Sequence, residues 1–162
     1  MLDFLGSDYG LVLVFAAAAI AVIFPGLGSA KGVGLVGQAG AGILAEDPSK
    51  FGKVLILEVL PGTQGLYGFL TAILLLNSAG VLGGDLTSIG TARGLNYLFA
   101  CMPIGIVGYF SAIAQAKAAA AGIAIVAKKP EDSGKSIILA AMVETYAVLA
   151  LLVSLLAIVN VK

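Results

Sequence analysis

Apolar residues fall into four long blocks separated by short polar connectors, running roughly from Leu11 to Ala45, Phe51 to Ala79, Asn96 to Ala127 and Ile137 to Val159. A helix needs about 20 such residues to cross the hydrocarbon core of a bilayer, and every block meets that length. The pattern predicts an all-α membrane protein with four transmembrane helices, in which only the connectors are wet.

The blocks also repeat. PSKFGKVLIL from Pro48 and PEDSGKSIIL from Pro130 both read P-x-x-x-G-K-x-x-I-L, an offset of 82 that also aligns Gly52 with Gly134, Lys53 with Lys135, Ile56 with Ile138 and Thr63 with Thr145. Further back, Ala30-Lys31 matches Ala116-Lys117 after a small length difference. The chain therefore reads as two tandem helical hairpins, residues 1–82 and 83–162. An even number of spans separates the copies, so they face the same way. In this register Glu144 falls on Gly62, and only the second hairpin carries the acid.

Composition agrees with a lipid environment. Of 162 residues, 60% are hydrophobic and 11% charged, and the mean hydropathy is +1.08, far from the balance of a soluble domain. Nine basic and nine acidic residues cancel and there is no histidine, which excludes a nucleic-acid footprint, a histidine-ligated metal and histidine catalysis. The lone Cys101 lies in an apolar stretch and reads as a small buried hydrophobe. The start, MLDFLGSDYG, carries Asp3 and Asp8 without a basic residue, and the run after it is too long for a signal-peptide core, so the first helix is expected to remain in the mature protein.

Lys50 and Lys53 lie in or beside the first connector and Lys128, Lys129 and Lys135 in or beside the third, against Arg93 and Lys162 at the other side. The positive-inside bias predicts a multi-pass protein of the cell membrane with the loops near Pro48 and Pro130 in the cytoplasm and both termini outside. The middle connector, GVLGGDLTSIG, has no basic residue and fits the outer face.

Helix one carries Gly26, Gly28, Gly32, Gly34, Gly37, Gly40 and Gly42, and helix three the run AIAQAKAAAAGIA. Small residues let helices approach closely in lipid, where no hydrophobic force drives association. Two arrangements satisfy the pattern: tight packing within one bundle, or the crowded inner wall of a ring of many copies. PGLGSAKGVG follows no strand and lies in a span, so it is not a phosphate loop.

MVETY, Met142 to Tyr146, places a carboxylate within SIILAAMVETYAVLALLVSLLAIV. Counting inward from the outer ends of the helices sets Lys31, Glu58, Lys117 and Leu139 near the inner membrane boundary, with Glu144 one to two turns deeper. A buried ionised group is costly and needs protein or water around it and a partner. Lys31, Lys117 and Glu58 are expected to snorkel or to pair with one another at the interface. Glu58, four residues before Gly62 on nearly the same face, is also a candidate entry carboxylate or second ion site.

The aligned segment of helix two is LPGTQGLYG, Leu60 to Gly68. Pro61 has no N–H, which frees the carbonyl of Leu57 and loosens neighbours such as that of Leu60. Thr63, Gln64 and Tyr67 add a hydroxyl, an amide and a phenol, and helix three offers Gln115. Such an oxygen-rich cluster can replace the water lost by a hard cation such as Na+. Alternatively, these side chains are interhelical hydrogen-bond glue with no ion, although glue needs no carboxylate.

Together, the duplicated hairpin, the glycine-rich first helix, LPGTQGLYG, the glutamine of SAIAQAK and MVETY resemble the membrane-ring proteolipid, the c or K subunit, of V-type ATPases, most of all the bacterial sodium-transporting form. The resemblance covers essentially the whole chain. It implies a rotor ring of identical subunits among membrane lipids, a stator subunit that supplies an arginine, and a central stalk that meets the cytoplasmic loops and is driven by ATP hydrolysis in other subunits. It also implies that Na+ is held by Glu144, Thr63, Gln64, Gln115 and the carbonyl of Leu60, with Tyr67 bonding the glutamate. Glu58 departs from the family pattern. The competing functions are a proton-carrying ring of the same type and a small four-helix cation or drug antiporter; the latter would want its acid in an early helix beside aromatic residues.

Overall fold

A computed structural model describes residues 9–84 and 89–161. Asp3, Asp8, Lys162 and the part of the middle connector at 85–88 lie outside the described residues. Five α-helices form the four spans: α1 (Gly10–Glu46), α2 (Phe51–Val59) and α3 (Thr63–Ser78), which together make the second span, α4 (Thr91–Lys128) and α5 (Ser133–Val159). All four spans are long and apolar enough to cross a membrane. The third and fourth begin several residues before their apolar blocks, at Thr91 and Ser133, because a helix continues into polar sequence once its apolar part is formed, whereas a hydropathy ruler stops there.

The second span is broken where the sequence places proline. Pro61 sits in a single 3-10 turn, Leu60–Gly62, between α2 and α3. Its ring supplies no donor to the preceding turn, and the Thr63 hydroxyl donates to the Leu60 carbonyl at 3.0 Å.

The centre of the bundle is α1 packed along α4, with α3 against α1 and α5 against α4. Contact between α1 and α4 is backbone-close: a Cβ on Gly28 would lie 2.7 Å from the carbonyl oxygen of Tyr109, and one on Gly32 would lie 3.1 Å from that of Ala112. These glycines serve packing inside the chain. Gly26, Gly34 and Gly42 do not, since a Cβ on any of them meets nothing within 4 Å. Of the two arrangements open in the sequence, intramolecular packing thus accounts for part of the glycine pattern only.

The apolar core divides in two. One cluster gathers Val14, Ala17, Leu75, Tyr97, Ile104 and Ile158, and the other Val36, Val54, Leu57, Ala119, Ile123, Val126 and Ala140. Between them lie the buried polar residues Gln64, Ser111 and Gln115. Three serines rivet α4 to α5: Ser111 donates to the carbonyl of Val143 at 3.2 Å, Ser136 to that of Gly122 at 3.2 Å, and the Ser154 hydroxyl accepts from the Ile104 N–H at 3.2 Å.

The connector after α1 is held from both sides. Asp47 accepts from the Ser49 hydroxyl at 2.6 Å and from its N–H at 3.1 Å, bonds that hold its carboxyl below the usual value. Lys50 pairs with Asp47 at 3.3 Å and donates to the Ala127 carbonyl at 3.0 Å. A cation thereby meets the negative end of α4 and ties the first connector to the third.

Candidate functional site

Glu144 lies on α5, half-buried, where α3 and α4 converge on it. One carboxylate oxygen, Oε1, accepts from the Tyr67 hydroxyl of α3. The other, Oε2, accepts from Gln115 Nε2 of α4 at 3.2 Å. Gln115 Oε1 accepts in turn from Gln64 Nε2 at 2.5 Å, and both amides are fully buried. Buried amides need partners at both ends, and here three spans supply them.

The oxygens of the 3-10 break complete the cluster. Thr63 Oγ1 stands 3.0 Å from the Leu60 carbonyl and 3.4 Å from Gln64 Oε1. All six residues singled out in the sequence, Glu144, Gln115, Gln64, Thr63, Leu60 and Tyr67, are therefore brought together. A single carboxylate among neutral oxygens matches a single positive charge. Among the described residues, there is no group of three or more acidic, histidine or cysteine side chains that could hold a more highly charged metal. On its outer side Glu144 lines an open depression of about 410 Å³ with Ala141, Thr145, Val148 and Leu149, so the acid can be reached from the surface of the bundle.

Three hydroxyls escaped the sequence reading. Ser111 stands 3.5 Å from Gln64 Nε2, one helical turn before Gln115 on the same face of α4. Ser29 of α1 accepts from the Gly65 N–H at 2.9 Å, fixing the first turn of α3 after the break. Thr71 donates to the Tyr67 carbonyl at 2.8 Å. The only sequence signal was the S-x-x-x-Q spacing of Ser111 and Gln115.

Of the two roles expected for the charges at the inner boundary, snorkelling and mutual pairing, the pairing is not seen. Among the described residues, the ion pairs are Lys50–Asp47 and Lys135–Asp132, so Lys31, Glu58 and Lys117 do not pair with one another. Lys31 instead donates to the Tyr109 hydroxyl at 3.2 Å and sits 5.5 Å from that ring's centre, and Lys117 is exposed. Glu58 packs onto α1, where a Cβ on Gly37 would lie 2.7 Å from its Oε1. Gly62 and Gly65 continue that row, against Val33 and Ser29 of α1. Gln64 and Tyr67 leave the span from another side, toward α4 and α5. Sharing a face with Gly62 thus directs Glu58 at α1 rather than at Glu144.

Two like-facing hairpins of membrane-spanning helices, with one intramembrane acid held by neighbouring spans, define a duplicated membrane proteolipid. The chain belongs to the ATP synthase C-subunit family, which matches it twice, over residues 16–75 and 98–157. The second match begins and ends 82 residues after the first, the same offset that relates the two connectors. The chain is 52% identical over 161 residues, 99% of each chain, to the V-type sodium ATPase subunit K of Enterococcus hirae. It is 40% identical over 151 residues, 93% of this chain and 64% of the relative, to the A-type ATP synthase subunit K of Methanocaldococcus jannaschii. Against the 16 kDa proteolipid of the human V-type proton ATPase it is 31% identical over 111 residues, 64% of this chain and 70% of the relative. Family membership sets aside the antiporter reading.

Proposed function

We propose that the chain is the rotor-ring subunit of a rotary V-type ATPase and carries Na+ across the membrane on Glu144. The ion is the cargo, held by the Glu144 carboxylate, the oxygens of Thr63, Gln64 and Gln115 and the carbonyl of Leu60, with Tyr67 orienting the acid. The observation that carries this reading is the convergence of α3, α4 and α5 on one carboxylate, with two amides, the Thr63 hydroxyl and the Leu60 carbonyl of the 3-10 turn linked in sequence behind it. A proton site needs the acid alone.

The physics of the membrane then orders the cycle. A site that faces lipid must be neutral, with the acid balanced by the cation, because a bare charge there is costly. A site that faces the stator can be emptied by an arginine of that subunit, which offers the acid another positive partner. Identical copies side by side form the ring. The central stalk meets the loops near Pro48 and Pro130, which are cytoplasmic, and both termini lie outside, as the lysine distribution implies. Residues 1–82 and 83–162 are the two hairpin units. The chain itself hydrolyses nothing; the energy of ATP reaches it as rotation.

The test is chemical labelling of the acid. A hydrophobic carbodiimide reacts with the Glu144 carboxyl, and bound Na+ should protect it: at near-neutral pH, labelling of the intact ring should slow as Na+ rises while K+ leaves it unchanged. Equal labelling with and without Na+ would mean a proton carrier.

A further inference from the structure

Ser111, Ser136 and Ser154 are all buried and all bridge α4 to α5 through backbone. Ser111 differs in facing a side chain of the polar cluster as well, Gln64 Nε2 at 3.5 Å. Its one hydroxyl proton is given to the Val143 carbonyl, so what it presents to Gln64 is a lone pair. That fixes the direction of a chain of amides. An ionised carboxylate only accepts, so Gln115 turns its nitrogen toward Glu144 and its oxygen toward Gln64. Gln64 answers with nitrogen, one N–H facing Gln115 Oε1 and the other Ser111 Oγ. Reversing Gln64 would set oxygen against oxygen at both contacts. Its own oxygen therefore stays on the side of Thr63 Oγ1, 3.4 Å away.

We propose that Ser111 is a positioning residue that keeps the Gln64 carboxamide oxygen turned toward the ion and thereby raises the affinity of the site for Na+. The inference rests on the reading of Glu144 as an Na+ carrier. Ser111 does not touch the cation. It acts through Gln64 by occupying the amide's second N–H, which in a dry interior has no water to turn to. Without that acceptor only Gln115 Oε1 opposes the reversed amide, and the oxygen is presented to the ion for a smaller fraction of the time.

The experiment compares Ser111→Ala, Ser111→Cys and Ser154→Ala with the unaltered ring, reading the Na+ concentration that halves carbodiimide labelling of Glu144. Ser154 is the control, also buried and bridging the same helices away from the acid. Ser111→Ala is expected to raise that concentration about fivefold, the range of one lost buried hydrogen bond. The labelling rate without Na+ and the proportion of assembled ring on a native gel should stay unchanged. Ser111→Cys keeps the volume with a poorer acceptor; it should shift the value in the same direction, and it is the variant read if Ser111→Ala does not assemble. Ser154→Ala should stay within about twofold of the unaltered ring. If Na+ protects the unaltered ring but the Ser111 variants shift no more than Ser154→Ala, the positioning role is wrong. If Na+ fails to protect the unaltered ring, it is the Na+ reading that falls.

Discussion

At the scale of single residues, the cluster around Glu144 divides labour between holding an acid and offering oxygens. Tyr67 belongs to the first task, as its hydroxyl donates to Oε1. Tyr67→Phe is expected to leave the ring assembled and to raise the half-protecting Na+ concentration about threefold, through a carboxylate that is less well placed. In the proposed site, Glu144→Gln removes the charge that balances the cation; it should abolish both carbodiimide labelling and Na+-dependent transport in membrane vesicles while the oligomer persists on a native gel. The six residues of this cluster were legible in the sequence because amides, a phenol and an acid interrupt apolar spans, where each must find a partner. Ser111, Ser29 and Thr71 were not. A serine or threonine inside a helix can satisfy itself on its own preceding turn, and only the rotation of each helix about its axis decides whether the hydroxyl reaches a neighbour. The same rotation sends Glu58 against Gly37, a direction that counting residues from Gly62 did not supply.

At the scale of elements, the 3-10 break at Leu60–Gly62 sets the direction of the Leu60 carbonyl, which accepts from both the N–H and the hydroxyl of Thr63. Pro61→Ala would restore an N–H to the second span and allow the helix to close through the break. The expected result is a span that is at least as stable, measured by the heating needed to dissociate the ring. The half-protecting Na+ concentration should be higher by about tenfold or more, because the Leu60 carbonyl, which now accepts from the Thr63 N–H in the 3-10 turn, is re-aimed along the axis when that turn becomes α-helical. An unchanged concentration would show that the break does not serve the ion. Proline announced this break in the sequence. The blocks themselves were found to within about one turn, except at the outer end of α4, where Thr91-Ala-Arg-Gly-Leu is helical without being apolar. No hydropathy pattern carries that extension, since it is the propagation of a helix already nucleated.

At the scale of the whole molecule, the glycines of α1 separate into two sets with different expected phenotypes. Gly28 lies against the backbone of Tyr109, whereas Gly34 faces open space within the chain. Gly28→Leu should force α1 from α4 and yield a protease-sensitive chain. Gly34→Leu should leave the four-helix unit protease-resistant yet prevent ring assembly, if that strip meets the next copy; intact rings from Gly34→Leu would remove α1's open row from the interface. The duplication was readable from the connectors alone, but the division of the glycines was not, because both sets share one helix and differ only in what lies opposite. The same duplication leaves a trace on α5. Thr145 Oγ1 donates to the Met142 carbonyl at 2.8 Å, just as Thr63 does to that of Leu60 at the equivalent place in the first hairpin, yet the first hairpin has Gly62 where the second has Glu144. In the ring proposed above, half of the hairpins are thus idle teeth. Each revolution moves half the charge that the same wall of helices could move, so one ATP works on fewer ions and can drive each against a steeper gradient: a low gear, set by one acid to every two hairpins.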